Sequence, residues 1–293
     1  MVKNSIKILI IGSKGMLGQE LMRVFGDKRQ ETESAEIIGW DRGEIDVANE
    51  VEVNQKIKDL KPDIIINAAA YNAVDKCEEE EGFAIAKKIN GEAPGYLAKI
   101  AKELEIILVH YSTDYVFAGD KKEGYKEDDA PSPISKYGES KLLGEENVRK
   151  FGEKYYLLRT CKLFGRPAIS EAAKKSFVDI MLNLAGKQDT IEAVDEGYAS
   201  PTYAPDLAQR TREIVDGHYP WGIYHVTNSG ACTWYEFAKE IFKIKNIKIN
   251  LIPVGGDKFP RPARRPKFSP LINTKLPLMR SWQEALKEYL KLD

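Results

Sequence analysis

Ile6–Ile11 (IKILII) and the turn that follows it, Gly12-Ser-Lys-Gly15-Met-Leu-Gly18, decide the fold of this chain. The first stretch is a continuous apolar run, which is typical of a strand buried on both faces of a parallel sheet. Three glycines at GxxGxxG spacing follow, and a helical pattern of apolar residues continues to Phe25. A strand, a glycine turn and a helix in this order predict the start of a βαβ unit.

The glycines of this turn have a chemical use. A backbone without side chains can turn tightly, and it lets a pyrophosphate approach the free N–H groups at the start of a helix. A plain structural turn is the alternative, but the strand–turn–helix context favours cofactor binding. The expected phosphate-binding residues of a dinucleotide are Gly12, Gly15, Met16, Leu17 and Gly18.

Apolar strand-like runs alternate with helical patterns through most of the chain. The predicted strands are Ile6–Ile11, Ile37–Trp40, Ile64–Ile66, Ile106–Tyr111, Tyr155–Arg159 and Ile223–Val226. The further predicted helices are Val51–Leu60, Phe83–Leu104, Lys136–Lys150, Ser176–Leu184, Asp206–Val215, Trp234–Lys243 and Ser281–Leu290, the last with Ser281 as N-cap. This alternation predicts an α/β fold built on a doubly wound parallel sheet.

Composition excludes several classes of function. The 293 residues carry a formal net charge of −1, which does not favour a nucleic-acid or anionic-membrane partner. No apolar run approaches the ~20 residues needed to cross a bilayer, and no signal peptide is evident. The three cysteines lack metal-ligand or disulfide spacing, so we expect free thiols, no metal site and a cytoplasmic location.

Polar residues follow the second and third strands, where a nucleotide would lie. The Asp41 carboxylate could hold the adenosine ribose hydroxyls, which favours NAD, whereas Arg42 could pair with the 2′-phosphate of NADP. A surface Asp–Arg turn is the alternative, and Asp46 is a further cofactor candidate. The small residues at Asn67-Ala68-Ala69 leave room for the cofactor, or they allow tight helix–sheet packing.

Tyr137 and Lys141 form a YxxxK pattern on a predicted helix. Spacing of i, i+4 places both side chains on one face. An ammonium near a phenol favours the phenolate and is expected to lower the pKa of Tyr137 from ~10. The phenol could then give its proton to an alkoxide that forms as hydride arrives. Tyrosine and lysine at this spacing are also common surface residues, so the pattern depends on its position in the fold.

Thr113 and Asp114 lie at the end of the fourth predicted strand, which faces the same crevice. The Thr113 hydroxyl could hydrogen-bond a substrate carbonyl, or it could cap the strand end. Asp114 could bind a sugar hydroxyl, or it could cap a turn.

These residues together resemble the extended short-chain dehydrogenases, and most closely the dTDP-4-dehydrorhamnose reductase (RmlD-like) family. The resemblance covers nearly the whole chain. It is carried by GSKGMLGQEL, PDIIINAAAYNAVDKCE, the STDYVF and YGESKLLGE blocks, DEGYASPTYAPDLA, GIYHVTNSGACTWYEFA and RPARRPKFSPLINTKL. The family implies reduction of a nucleotide-linked 4-keto-6-deoxy sugar by NADP(H) or NAD(H).

The resemblance also assigns roles to residues. It implies that Thr113, Tyr137 and Lys141 carry catalysis, with Lys141 also holding the nicotinamide ribose. Asp114 would lie at the substrate, Asn90 would be structural, and Arg261 would face the nucleotide sugar. An arginine suits a diphosphate because its fork can bond two oxygens, although the loop that holds Arg261 could simply be solvated.

The resemblance further implies a Rossmann domain of residues 1–166 plus about 194–230. A smaller, discontinuous substrate domain of about 167–193 plus 231–293 would complete the chain, and a homodimer is left open. Lys162 departs from the family, which has tryptophan in its RTSWVYG segment. Because an aromatic ring at that position would pack on the sugar, we expect Lys162 to change the contacts with the sugar and to leave the glycine turn and the Tyr137–Lys141 pair untouched.

Two other functions keep the same fold. One is a non-catalytic binding subunit, since the regulatory subunit of methionine adenosyltransferase resembles this family. The other is a nucleotide-sugar epimerase or dehydratase, which would retain its NAD without net consumption of reduced cofactor.

Overall fold

The structure is a computed structural model that describes residues 6–27, 35–169 and 175–291. Its strands are β1 (Ile6–Ile11), β2 (Ala35–Trp40), β3 (Ile64–Asn67), β4 (Ile107–Thr113), β5 (Tyr155–Thr160), β6 (Leu163–Phe164), β7 (Thr190–Val194), β8 (Thr202–Tyr203), β9 (Gly222–His225) and β10 (Asn250–Val254). Six of them form a parallel sheet in the order β2-β1-β3-β4-β5-β9. All six strands predicted from the sequence are confirmed, with shifts of one or two residues at some ends.

The helices are α1 (Met16–Phe25), α2 (Glu50–Leu60), α3 (Glu80–Ala86), α4 (Ala93–Glu103), α5 (Lys136–Phe151), α6 (Phe177–Ala185), α7 (Ala204–Asp216), α8 (Trp234–Ile244) and α9 (Trp282–Tyr289). The single helix predicted over Phe83–Leu104 is wrong in one respect. A π-helical turn at Lys87–Glu92 separates α3 from α4. Ser281 caps α9 as predicted, and its side chain forms a capping box with Glu284.

Alternating side chains of the central strands supply two cores, one on each face of the sheet. Ile8 and Ile10 of β1 pack with apolar residues of α1 and α7. Leu9 and Ile11 pack on the opposite face with residues of α2, α4 and α5. Because both faces are covered, the strands read as continuous apolar runs. The chain therefore has the predicted α/β, Rossmann-like fold.

The winding of the sheet fixes where a ligand can bind. β1 and β3 are neighbours, and the chain leaves β1 toward β2 on one side and leaves β3 toward β4 on the other side of the sheet. In such sheets the crevice at the carboxyl ends of the strands is the usual ligand site. The glycine turn after β1, Asn67 at the end of β3 and Thr113 at the end of β4 all lie at this edge.

A separate core lies in the C-terminal half. It packs residues of α6, α8 and α9 against β7, which pairs in parallel with β10. The strands β6, β7, β8 and β10 were not predicted from the sequence, and all four lie outside the main sheet. The expected domain bounds stay a prediction, and residues 170–174 and 292–293 of the expected substrate domain lie outside the described residues.

Within the described ranges, no helix is both long and apolar enough to cross a membrane. The same part of the chain contains no group of three or more side chains placed to hold a metal ion. Cys77, Cys161 and Cys232 are buried thiols, and no disulfide joins them.

Candidate active site

The glycine turn has the shape that a dinucleotide requires. Gly12 adopts a left-handed φ of 81°, and a Cβ added there would lie 2.8 Å from the backbone nitrogen of Ala69. A Cβ on Gly18 would overlap the carbonyl oxygen of Gly12. Gly15 is the N-cap of α1 and has no side chain to cap the first N–H groups, those of Met16 and Leu17 among them. The turn therefore offers a bare helix N-terminus to a phosphate.

Asp41 connects the end of β2 to this turn. Its carboxylate accepts hydrogen bonds from the backbone N–H groups of Lys14, at 3.1 Å, and Arg42, at 2.8 Å. The Arg42 side chain is exposed, so it is free to turn toward a phosphate. Asp46 is also exposed and caps the following turn through the Ala48 N–H. Asp41 thus lies beside the glycine turn, and the adenosine contacts expected of Asp41, Arg42 and Asp46 stay predictions.

The end of β3 forms the floor of the crevice. Ala68 donates its N–H to the Ile11 carbonyl, and Ala69 donates to the Asn67 side chain at 3.2 Å. The Asn67 amide also lies 3.1 Å from His110 Nδ1, and both side chains are buried. Ala68 and Ala69 also pack against the two cores, so the tight packing is observed, whereas the space for a cofactor stays a prediction.

Tyr137 and Lys141 occupy the buried face of α5, as their spacing predicts. Ser135 caps the helix through the Gly138 N–H, which sets the start of α5 just before Tyr137. The Lys141 ammonium donates to the Tyr111 carbonyl of β4 at 2.6 Å. The Tyr137 hydroxyl donates to the Asn72 side-chain oxygen at 3.3 Å.

The pKa of Tyr137 is raised, which is the opposite of the lowering expected from the nearby Lys141. Burial raises the pKa of Tyr137 well above its ordinary value, and the charge of Asp114 adds to this, while a contact with the Thr113 hydroxyl works against it. Burial lowers the pKa of Lys141 to about 8, and the Glu145 carboxylate opposes that shift. Tyr137 is therefore held protonated, which suits a proton donor, and Lys141 is predominantly an ammonium below pH 8.

Thr113 and Asp114 lie beside Tyr137 and are buried. The Thr113 hydroxyl donates to Asp114 Oδ1 at 3.1 Å, and Ser269 donates to Asp114 Oδ2 at 2.6 Å. Burial raises the pKa of Asp114 to about 6, and these two hydrogen bonds and the charge of Lys162 oppose the rise. Asp114 is thus mainly ionised at neutral pH and can accept a further hydrogen bond. The Thr113 oxygen also accepts the Tyr115 N–H, which is the capping alternative, and its bond to a substrate carbonyl stays a prediction.

Lys162 lies near Asp114, just after the end of β5. Its backbone is left-handed, with a φ of 42°, which is uncommon for a residue with a side chain. The ammonium donates to the Cys232 carbonyl at 2.7 Å and lies 4.4 Å from the centre of the Trp234 ring. Burial lowers the pKa of Lys162.

The arginines of the Pro/Arg-rich loop, Lys258–Pro270, have different surroundings. Arg265 forms a two-pronged ion pair with Asp75, at 2.5 and 2.7 Å, and joins this loop to the segment after β3. Burial raises the pKa of Tyr115, and the charge of Arg265 opposes this rise. Arg265 is thus occupied by Asp75, whereas Arg261, the arginine expected to face the nucleotide sugar, is exposed and close enough for its charge to act on Asp75 and Tyr115.

Sequence reasoning missed two residues that touch this cluster. Asn72 holds the Tyr137 hydroxyl, and Ser269 holds Asp114. Both stand in stretches quoted for the family resemblance, but neither type by itself signals a role. Asn90, expected to be structural, is fully buried in the π-helical turn and bonds both backbone groups of Tyr71.

Comparisons with known proteins agree with this geometry. The family model described as "RmlD substrate binding domain" matches residues 6–293. The spore coat polysaccharide biosynthesis protein SpsK of Bacillus subtilis is 34% identical over 289 residues, which are 97% of each chain.

Two solved structures named as dTDP-4-dehydrorhamnose reductases are similar over nearly their full lengths. The protein from Clostridium acetobutylicum has a TM-score of 0.90 and 39% identity, covering 98% of this chain and 99% of that one. The protein from Bacillus anthracis, solved in complex with NADP, has a TM-score of 0.90 and 34% identity, covering 99% and 100%.

Proposed function

Because the chain belongs to the RmlD substrate binding domain family, we propose that it is an NAD(P)H-dependent reductase of a nucleotide-linked 4-keto-6-deoxy sugar. The proposed reaction converts dTDP-4-dehydro-L-rhamnose to dTDP-L-rhamnose. The observation that carries the proposal is the buried cluster of Thr113, Asp114, Tyr137 and Lys141 at the carboxyl edge of the sheet, beside the glycine turn. Relatives named as dTDP-4-dehydrorhamnose reductases support it, and one of them was solved in complex with NADP.

The chain's residues have distinct proposed roles. NAD(P)H, when bound, supplies hydride. Gly12, Gly15 and Gly18 with the N–H groups of Met16 and Leu17 would hold its pyrophosphate, and Asp41, Arg42 and Asp46 its adenosine end. Asn67, Ala68 and Ala69 would line the floor, and Lys141 would hold the nicotinamide ribose. Both NADP(H) and NAD(H) are proposed as cofactors, because Asp41 favours NAD(H) and Arg42 favours NADP(H).

Proton transfer is assigned to Tyr137. A phenol that burial keeps protonated can donate to the oxygen of the ketone as negative charge develops there. The Thr113 hydroxyl would turn its single proton from Asp114 to the same oxygen and stabilise that charge. Asp114 would accept a hydrogen bond from the sugar, and Arg261 would bind the diphosphate. A homodimer and a cytoplasmic location stay predictions.

The test is oxidation of NADPH or NADH with dTDP-4-dehydro-6-deoxy-L-mannose, followed at the nicotinamide absorbance. We expect turnover that depends on the sugar, and the ratio of the two rates gives the cofactor preference. Tightly retained NAD without net oxidation would contradict the reductase and favour an epimerase or dehydratase. Absence of turnover on any keto sugar, with capture of a synthetase, would favour a binding subunit.

A further inference from the structure

Asp114 and Lys162 follow neighbouring strand ends at the carboxyl edge of the sheet, where Thr113 of β4 pairs with Thr160 of β5. Each changes the pKa of the other through its charge. Among the described residues, however, neither a direct ion pair nor a hydrogen bond joins these two side chains. An acceptor and a donor therefore lie at the ends of adjacent strands, on the edge of the sheet where the sugar is proposed to bind.

Both side chains are fixed by other partners. Thr113 and Ser269 each donate to one oxygen of Asp114, which leaves further lone pairs on both oxygens. Lys162 donates one of its three N–H groups to Cys232, and the Trp234 ring holds the ammonium from one face. The remaining capacity of each group is available to a ligand between them.

We propose that Lys162 and Asp114 form a slot for one hydroxyl group of the substrate sugar, which makes Lys162 a specificity-determining residue. A hydroxyl is the group that fits, because it donates to the carboxylate and accepts from the ammonium at the same time. This inference rests on the proposed function and names the substrate more closely. The hydroxyl that occupies the slot would be the one at C2 or C3 of the sugar, since these carbons lie on the side of the C4 ketone that bears hydroxyl groups.

The slot also predicts which sugars are rejected. A sugar that lacks the hydroxyl at C2 or C3 would leave the buried Asp114 carboxylate and Lys162 ammonium without the hydroxyl group that the slot binds. A site built to hydrogen-bond a hydroxyl discriminates strongly against an analogue that lacks it. An aromatic ring at position 162 would pack on the sugar face and lacks this penalty, so lysine changes what the site selects.

The experiment compares kcat/KM for dTDP-4-dehydro-L-rhamnose with its 2-deoxy and 3-deoxy analogues. We expect wild type to prefer the hydroxylated sugar over one analogue by on the order of 100-fold. Lys162→Met should lower kcat/KM on the hydroxylated sugar about 10- to 100-fold and leave that analogue nearly unchanged. Lys162→Arg, which keeps a donor, should retain most of the preference.

Controls separate this effect from damage to the fold. Lys267→Met removes an exposed lysine two residues from Ser269 and should change neither rate. Thermal melting and NADPH affinity report folding of each Lys162 variant, and all of them share the left-handed backbone at this position. An equal loss on all three sugars in Lys162→Met, or no loss on any, would overturn the slot.

Failure of the proposed function would be visible separately. If wild type oxidises no cofactor with any of these sugars, binding of dTDP-L-rhamnose relative to dTDP is measured on the NADP-bound protein. A sugar contribution that Lys162→Met abolishes would keep the slot and overturn the reductase. A contribution that the substitution leaves intact would overturn the slot as well.

Discussion

The Arg159 guanidinium donates two hydrogen bonds to the Glu145 carboxylate, at 2.9 and 2.6 Å, and each side chain is only 1% exposed. The pair joins β5 to α5 one helical turn beyond Lys141. Arg159 also donates to the Glu127 carbonyl. The helix that carries Tyr137 and Lys141 is thus anchored to the sheet at two points, through Lys141 on Tyr111 and through Glu145 on Arg159.

Glu145→Gln should therefore destabilise the protein and impair turnover. Removing one charge leaves the Arg159 guanidinium buried without its counter-ion, which costs on the order of 3 kcal/mol. The urea midpoint should fall, and turnover should fall with it because Lys141 loses the carboxylate that favours its ammonium. Glu146→Gln, at the exposed neighbouring position, is the control and should stay within about 0.5 kcal/mol of wild type. Equal stability of the two variants would show that the pair contributes nothing.

Local signals made the frame of this fold predictable. A buried strand such as Ile6–Ile11 records its own environment in its apolar run, and the glycine turn records its shape in residue type. The YxxxK spacing likewise places Tyr137 and Lys141 on one face of a helix. Each of these features depends on residues that are close in the chain.

Properties that depend on distant residues were not predictable. The direction of the Tyr137 pKa follows from burial and from Asp114, 23 residues away, so reasoning from Lys141 alone was wrong. The partners of Glu145 and Asp114, which are Arg159 and Ser269, come from other parts of the fold. β7 and β10 pair across about 55 residues, and neither has the continuous apolar run of a central strand.

Gly18→Ala should abolish dinucleotide binding without requiring loss of the fold. Its Cβ would overlap the Gly12 carbonyl oxygen, so the turn must open and its N–H groups must move. We expect NADPH affinity, measured by quenching of tryptophan fluorescence, to fall at least about 100-fold because the pyrophosphate contacts depend on this backbone. Gly186→Ala is the matched control, since the nearest atom to its added Cβ lies 3.7 Å away. Unchanged affinity in Gly18→Ala would remove the turn from the cofactor site.

The pH dependence of kcat/KM should follow Asp114 and Lys141. The pKa of Asp114 is about 6, so activity should fall as the pH drops through 6 and the acceptor for the sugar is protonated. The pKa of Lys141 is about 8, so activity should fall again as the pH rises through 8 and the ammonium is lost. Asp114→Asn should raise KM and remove the acid limb. An acid limb that persists in this variant would assign it to another group.

Arg261→Ala should weaken binding of the nucleotide sugar. The residue is exposed, its charge acts on Asp75 and Tyr115, and a guanidinium there can bond two diphosphate oxygens. We expect KM for the sugar nucleotide to rise about 10-fold with little change in kcat, because the contact would be the same in ground and transition states. Arg264→Ala, also exposed in the same loop, is the control. Equal KM values for the two variants would show that Arg261 is a solvated loop residue that does not bind the nucleotide sugar.

Tyr137→Phe tests the assignment of the proton donor. The variant keeps the ring and its edge-to-face contact with Tyr115, whose ring centre lies 5.5 Å away, but it has no hydroxyl. General acid catalysis is typically worth 10²- to 10⁴-fold, so kcat should fall by about that factor while NADPH affinity stays within a few-fold. Tyr235→Phe, in the C-terminal core, controls for loss of a phenol elsewhere. Near-normal turnover in Tyr137→Phe would refute its catalytic role, since the Asn72 carbonyl that holds the hydroxyl cannot supply a proton in its place.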